Sequence, residues 1–395
     1  MNDKANIENH TPFRDGLRRF RTNRLAMAGV CGIAFLLFVA IAAPLIANAR
    51  PLLLYREGEL WSPALRYIFA PDSMETFVER FFNYLLLFIP IFTLFWLFKR
   101  KKDRFAQFAF IIFSIFLLVP FFLTHSKLDK RNWRKISDNL KPGEFAVFAL
   151  IPYGPFENVA APYEKPSVSH IFGTDKIGRD VCSRMVYGAR VSLAVGLFAT
   201  GTAMIFGVII GLYSGYFGGV MDMVTMRMVE IVICFPTFLL LLILMSILMD
   251  YKFTQSILLV IGVIGLTGWT GLARIVRGET LKLRELAFIR ACETLAIPVW
   301  RILLRHLLPN VMGVITISFT FGIAGSILAE SSLSFLGFGV QDPTASWGEL
   351  LRQAFTDPFT YWHLTLWPGL ALFMAIISFN FAGEGLRKVL DPKEQ

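Results

Sequence analysis

The stretch "GTDKIGRD" (Gly173–Asp180) spaces two glycines as a phosphate-binding loop does. Arg179 stands where such a loop needs lysine, and Asp180 where a Ser or Thr hydroxyl would hold magnesium. A carboxylate at that point repels phosphate, so the stretch gives the chain no means of using ATP itself. The five histidines (His10, His125, His170, His306 and His363) are scattered, with no HExxH and no acidic partner at ligand spacing. Ser214 in "GLYSG" (Gly211–Gly215) sits among glycines as an intramembrane serine nucleophile might be placed. No histidine falls in a span where it could activate that serine, and small residues there suit closely packed helices. Cys31, Cys182, Cys234 and Cys292 are far apart and lack CxxC or Cys/His spacing, which indicates neither metal nor disulfide. Asp222, Arg227, Glu230, Glu330 and Glu384 fall at the rims of apolar segments, where water or an Arg–Glu partner can satisfy them. Structural pairing is expected of them, in preference to a proton relay. No mid-span charge is expected, and reaction chemistry on this chain is not indicated.

The elements that would carry these residues are apolar helices. Apolar residues make up 55% of the 395 residues and charged residues only 17%, which excludes an ordinary soluble domain. Several stretches run about 20 residues without a formal charge, the length a transmembrane helix requires, and a lone strand cannot satisfy its backbone in lipid. The fold class is therefore an all-α membrane protein with about eight spans. They fall near Leu25–Ala49, Phe81–Phe98, Phe105–Thr124, Val191–Tyr213, Met228–Met249, Phe253–Ala273, Val311–Ala329 and Tyr361–Gly383. The first carries a basic flank but no convincing cleavage site, and reads as a retained signal-anchor. The net charge of +10 does not point to nucleic acid, because the cations gather beside the apolar segments, as Arg14, Arg18, Arg19, Arg21 and Arg24 do.

Charge also sets orientation. With the arginine-rich N-terminus inside, "KRKKDR" (Lys99–Arg104) is inside, His125–Arg190 outside, and both Arg284–Asn310 and the C-terminal tail inside. The basic "HSKLDKRNWRK" (His125–Lys135) falls on the outer side, in a loop long enough to escape the rule. Removing the apolar hairpin 81–124 leaves a six-span protein with the same orientation, so the hairpin reads as an insertion. Residues 1–50 are then a cytoplasmic tail with the first span, 51–168 an extracytoplasmic region with the hairpin, and 169–392 the core, with a cytoplasmic loop over 278–310. No internal repeat is evident, which weighs against a secondary transporter built from two related halves.

That loop contains "RELAFIRACETLAIPVWRILLRHLLPN" (Arg284–Asn310). Glu285–Leu295 reads as one helix, with Leu286, Ile289, Cys292 and Leu295 at steps of three on one face. Pro298 suits the first turn of a second helix, and Pro309 is expected to end it before the next span. By physics alone, the pair could be an interfacial element on anionic lipid or a rigid knob offered to a cytoplasmic partner.

These residues resemble the cytoplasmic "EAA" loop of permease subunits of binding-protein-dependent ABC importers. "FGTDKIGRDVCSRMVYGARVSLAVG" (Phe172–Gly196), "GYFGGVMDMVTMRMVEIVICFPTFLL" (Gly215–Leu240), "SLSFLGFGVQDPTASWGELL" (Ser332–Leu351) and the tail "GEGLRKVLDP" (Gly383–Pro392) are similar to the C-type permease of the oligopeptide/dipeptide branch. The N-terminal "FRTNRLAMAGV" looks like that family's first span. The resemblance covers about Arg14–Ala49 and Ser169–Pro392. It implies a type I importer core of six helices, alternating access and a bacterial inner-membrane location. It also implies a second permease, two cytoplasmic ATPases that hold the ATP and magnesium, an extracytoplasmic substrate-binding protein and surrounding lipid. No cofactor is implied on this chain.

By position, the docking helix would run Arg284–Leu295. Glu285, Phe288, Arg290, Ala291 and Cys292 would lie in or near the ATPase groove, Ile289 in the same coupling loop, Ala296 at the turn, and Leu308, Pro309 and Asn310 at the end of the motif. Arg290 replaces a frequent Glu, Cys292 an alanine, and Ala296 a glycine whose φ could be positive. Peptides are the substrate class implied, with nickel or another small solute as the alternative. A self-sufficient secondary transporter is the rival outside the family; it would need mid-span charges or broken helices of its own. Topology reporters fused at Lys102 and Asn158 should report inside and outside respectively, and a shared side would refute the hairpin crossing.

Overall fold

Long apolar helices make up most of the computed structural model, which describes residues 18–69, 76–98, 114, 131, 133–249 and 256–390. Helix α1 (Arg24–Ile41) leads to a short turn of helix (Ala43–Ile46), strands β1 (Leu53–Arg56) and β2 (Glu59–Trp61), and helix α2 (Thr76–Phe98). Strand β3 (Phe145–Val147) precedes α3 (Val181–Phe217), α4 (Gly219–Cys234), α5 (Thr237–Met249) and α6 (Ser256–Arg284). The short α7 (Ala287–Thr294), the long α8 (Leu308–Leu336), the short α9 (Trp347–Gln353) and α10 (Trp362–Leu390) complete the described chain. Six of these helices are long and apolar enough to cross a membrane: α1, α2, α3, α6, α8 with the residues preceding it, and α10.

Three expected spans differ in the structure. The segment expected over Met228–Met249 is no single helix: α4 and α5 meet at an 83° bend. Pro236 has no N–H and its ring opposes the α conformation at the residue before it. Accordingly, Phe235 is extended, with φ −85° and ψ 133°. The span expected to begin at Val191 begins ten residues earlier, at Val181. Composition alone stops it at Arg190, because a guanidinium in lipid is costly. The fold instead buries both Arg184 and Arg190 inside α3's own packing. The expected Phe253–Ala273 span likewise extends to Arg284. The Lys99–Arg104 turn and the Phe105–Thr124 arm lie outside the described residues.

Small residues set how closely the helices approach. On α1, a Cβ at Gly29 would lie 2.6 Å from the Ser378 carbonyl oxygen, and one at Gly32 would lie 2.1 Å from Ser378 Oγ. Helices α1 and α10 therefore touch backbone to backbone, the contact that small residues allow where lipid removes any hydrophobic drive between helices. At the end where α1 stops and α3 starts, β1 pairs antiparallel with both β2 and β3 (order β2-β1-β3; Leu54 opposite Trp61 and Ala146). This sheet and the loops to Asp180 cap the bundle.

Arg190 ties α2 to α3 and to the end of α1. It is fully buried. Its guanidinium donates to Glu79 Oε2 at 2.5 Å and Asn83 Oδ1 at 2.9 Å on α2, and to the Ala40 and Ile41 carbonyls at the end of α1. Those carbonyls are the unpaired C-terminal ones of a helix, where a cation is favoured. Val78 and Phe82 of α2 join the same apolar core as α3, α8 and α10. Glu79→Ala should lower stability by about 3–5 kcal/mol, because Arg190 would remain buried without its counter-ion. Thermal unfolding of the purified chain measures this. An unchanged midpoint would mean that α2 is held by apolar contact alone.

Candidate functional site

At the end opposite the cap, α6, α7 and the start of α8 form one unit. Arg284, the last residue of α6, donates from Nη1 to the Tyr216 carbonyl at 2.9 Å and so satisfies a terminal carbonyl of α3. Two turns back, Arg277 grips Asp222 with two nitrogens, and Ser214 Oγ donates to the same carboxylate at 3.2 Å. Ser214 is thus a fully buried hydroxyl bound to Asp222, which links α3, α4 and α6.

Helix α7 is shorter than expected, Ala287–Thr294, with Leu286 and Leu295 as its caps. Of the four residues expected on one apolar face, Ile289 and Cys292 are buried, packed with Leu212 and Tyr216 of α3, Val276 of α6, and Ile302, Leu303 and Leu307. Leu286 and Leu295 face solvent. A three-residue step drifts off one face of a 3.6-residue helix within three steps, so only the central pair can face inward. Cys292, expected toward a partner's groove, therefore points into this chain's own core.

The turn after α7 takes the form of a Schellman motif. Ile297 N–H donates to the Cys292 carbonyl at 3.0 Å, and Ala296 N–H to the Glu293 carbonyl at 2.9 Å. Ala296 supplies the left-handed residue, with φ +51°. Helix α8 ends on the same motif but with Gly337 at φ 90°, which costs nothing there. Alanine at the equivalent point of α7 is strained.

Pro309 does not end a helix. Residues 299–301 are helical, 302–307 form a π turn, and α8 continues from Leu308. Leu308 N–H reaches the Leu303 carbonyl, five residues back. This widened turn accommodates a proline that cannot donate. Asn310 Nδ2 bonds the His306 carbonyl at 2.6 Å, and Leu308 is half-buried.

The outward face carries the rest of the expected site. Glu285 pairs with Arg290 across solvent, and Phe288, Arg290, Ala291, Leu295 and Ala296 are exposed. An exposed pair of that kind adds little stability. Beside them lie Trp300, 58% exposed with Arg301 over its ring, and Leu304, 58% exposed. Sequence reasoning gave these two no role. Their signal was two large apolar residues on a helix otherwise marked by arginines. Inner residues fix the unit to the bundle, and outer ones present an apolar patch rimmed by cations.

A cavity of about 280 Å³ opens among α3, α5, α6 and α8. Thr200, Thr237, Thr267, Ser318 and Ser326 contribute hydroxyls to it, Leu241, Leu272 and Phe319 contribute apolar surface, and no lining residue is charged. Thr237 opens α5 just after the Pro236 break, where backbone freed from helix can line a polar space. One turn from Ser326, Glu330 lies toward the end of α8 and is fully buried, away from the water expected to satisfy it. No arginine pairs with it among the described residues; its carboxyl is held by Ser334 at 2.7 Å and by Ser192 and Ser331 at 3.2 Å. Two fully buried ionisable groups (Arg190, Glu330) lie toward the cap end of α3 and α8, and the α4–α5 pair is a broken helix where one straight span was expected.

The near-miss loop 173–180 belongs to the cap. A Cβ on Gly178 would lie 2.1 Å from the Ala160 carbonyl oxygen, so this glycine serves a backbone crossing. Arg179 is held by Asp175 at 2.6 Å and Asp342 at 2.7 Å, and Arg184 by Glu349 at 2.7 Å. Burial pushes the Asp342 carboxyl up, but Arg179, Lys176 and Arg184 outweigh it and hold the group below the usual carboxylate range. Asp180 caps α3 through Ser183 N–H and contacts His170 at 2.9 Å.

Residues 207–395 match the family model described as the binding-protein-dependent transport system inner membrane component. Residues 11–55 match the N-terminal TM domain of oligopeptide transport permease C. The chain is 41% identical over 226 residues to the oligopeptide transport system permease protein OppC of Haemophilus influenzae, covering 57% of this chain and 71% of that one. It is 36% identical over 275 residues to the dipeptide transport system permease protein DppC of Bacillus subtilis (66% and 84%). With the glutathione transport system permease protein GsiD of Pectobacterium atrosepticum it shares 37% over 230 residues (58% and 75%).

Ala296→Gly should stabilise the chain by about 1 kcal/mol, since a left-handed backbone costs a non-glycine residue ~1–2 kcal/mol and glycine's extra unfolded freedom returns part of that. The midpoint of thermal unfolding reads it, and a fall would refute the strain at this turn.

Proposed function

The chain belongs to the family of inner membrane components of binding-protein-dependent transport systems, and on that premise we propose that it couples peptide uptake to ATP hydrolysis on partner subunits. The observation that carries the reading is the two-sided unit at Arg284–Asn310: Ile289 and Cys292 lock it to α3 and α6, while Phe288, Leu295 and Trp300 face outward. A lever needs both properties, a rigid root and an exposed head. The head is the surface offered to a cytoplasmic ATPase, with Glu285, Arg290 and Ala291 around Phe288. Motion there reaches α3 through Arg284 and Tyr216, and α4 through Arg277 and Asp222.

In this reading the assembly comprises a second permease, two ATPases that hold ATP and magnesium, and an extracytoplasmic binding protein. The N- and C-termini then lie in the cytoplasm with the coupling unit. The hydroxyl-lined cavity beside the α4–α5 break is this chain's share of the pathway. Uncharged walls with several hydroxyls suit peptides, whose backbone is constant and whose side chains vary, better than a metal cation, which calls for carboxylate or imidazole ligands. Three relatives carry oligopeptide, dipeptide or glutathione transport in their names, which supports the same class.

Phe288→Asp should leave insertion intact and lower peptide uptake at least about 30-fold, the scale of losing one buried aromatic anchor at an interface. ATPase subunits should be lost from a mild-detergent purification in parallel. Normal uptake with ATPases still bound would remove Phe288 from the docking surface.

A further inference from the structure

A second cavity, of about 260 Å³, lies at the same end of the bundle as the coupling unit and is separate from it. Its lining is Arg19, Asn23, Gly385, Lys388 and Val389. Two cations from opposite ends of the sequence meet there because α1 and α10 pack backbone to backbone. A Cβ on Gly385 would lie 2.3 Å from the Ala26 Cβ. Neither Arg19 nor Lys388 has an ionic partner among the described residues. Nearby Glu384 is spoken for by Arg387 at 3.9 Å. Asn23 uses its Oδ1 to cap α1, accepting from Leu25 and Ala26 N–H. Its Nδ2 has no partner among the described residues.

We propose that this cavity seats the phosphodiester of an anionic membrane lipid, bound by Arg19 and Lys388, with the Asn23 amide nitrogen as a further donor. The depth favours a lipid over a soluble anion. Helix α1 has 18 residues, about 27 Å, so it spans the hydrocarbon with nothing to spare and places Asn23 at the headgroup level. Leu25, exposed on the membrane side of Asn23, offers apolar surface along which an acyl chain would lie. Basic pockets between transmembrane helices are a recurrent form of headgroup recognition. The site involves neither the docking face nor the pathway, so its test is independent of the transport reading.

The test is native mass spectrometry of the full chain in mild detergent, titrated with phosphatidylglycerol and, separately, with phosphatidylcholine of the same acyl chains. Phosphatidylglycerol should bind selectively. Arg19→Gln and Lys388→Gln should each weaken it about fivefold and together about 30-fold, as expected for about one near-surface cation's contribution apiece. Arg19→Lys with Lys388→Arg should retain binding, which separates lost charge from lost fold. Equal binding of the two lipids, or full binding by the double Gln variant, would overturn the proposal. Displacement of the lipid by millimolar inorganic phosphate would also overturn it, by showing a seat for a soluble anion.

Discussion

Arg179, Arg184 and Arg190 are each at most 1% exposed, and the cost of burying three guanidinium groups beside or within a membrane-spanning helix shapes that whole end of the molecule. Several kcal/mol per uncompensated ion would be lost if any went unpaired. Each therefore draws a distant segment to it. Arg190 holds α2 through Glu79 and Asn83, and takes the closing carbonyls of α1. Arg184 reaches Glu349 on α9, and Arg179 reaches Asp342 in the loop before it. Lipid gives helices no hydrophobic reason to associate, so these directed bonds and the glycine contacts of α1 with α10 decide which helices are neighbours.

The opposite end is built differently. There the apolar contacts of Ile289, Cys292, Ile302 and Leu307 hold the Arg284–Asn310 unit to α3 and α6, with Arg284 on the Tyr216 carbonyl and Arg277 on Asp222 as polar pins. The π turn over Ile302–Leu307 and the strained Ala296 lie on either side of Pro298, so the unit's two irregularities both fall between its helices and the bundle. The cap end is cross-linked by ions and this end is packed by side chains. A displacement of α7 would thus travel along α3 and α6 toward a cap that resists it, with the hydroxyl-lined cavity and the α4–α5 bend between.

The sequence by itself determined the class, most of the long apolar helices and the place of the amphipathic unit between α6 and α8. All of these follow from local facts: runs of apolar residues long enough to cross lipid, cations beside them, prolines at fixed positions, and long motifs in a recognisable order. It could not determine what depends on partners far along the chain. Arg190 read as the edge of a span because its counter-ion is 111 residues away on another helix. Glu330 was assigned water or an arginine as its partner because its ring of serines is assembled from α3 and α8. Pro309 read as a stop because a π turn, which accommodates the missing N–H, leaves no mark in residue spacing. Cys292 was placed outward on resemblance, and only the packing of α7 on α3 and α6 turned it inward. In each case the deciding energy is the burial or pairing of a group against a surface that exists only once the helices have come together.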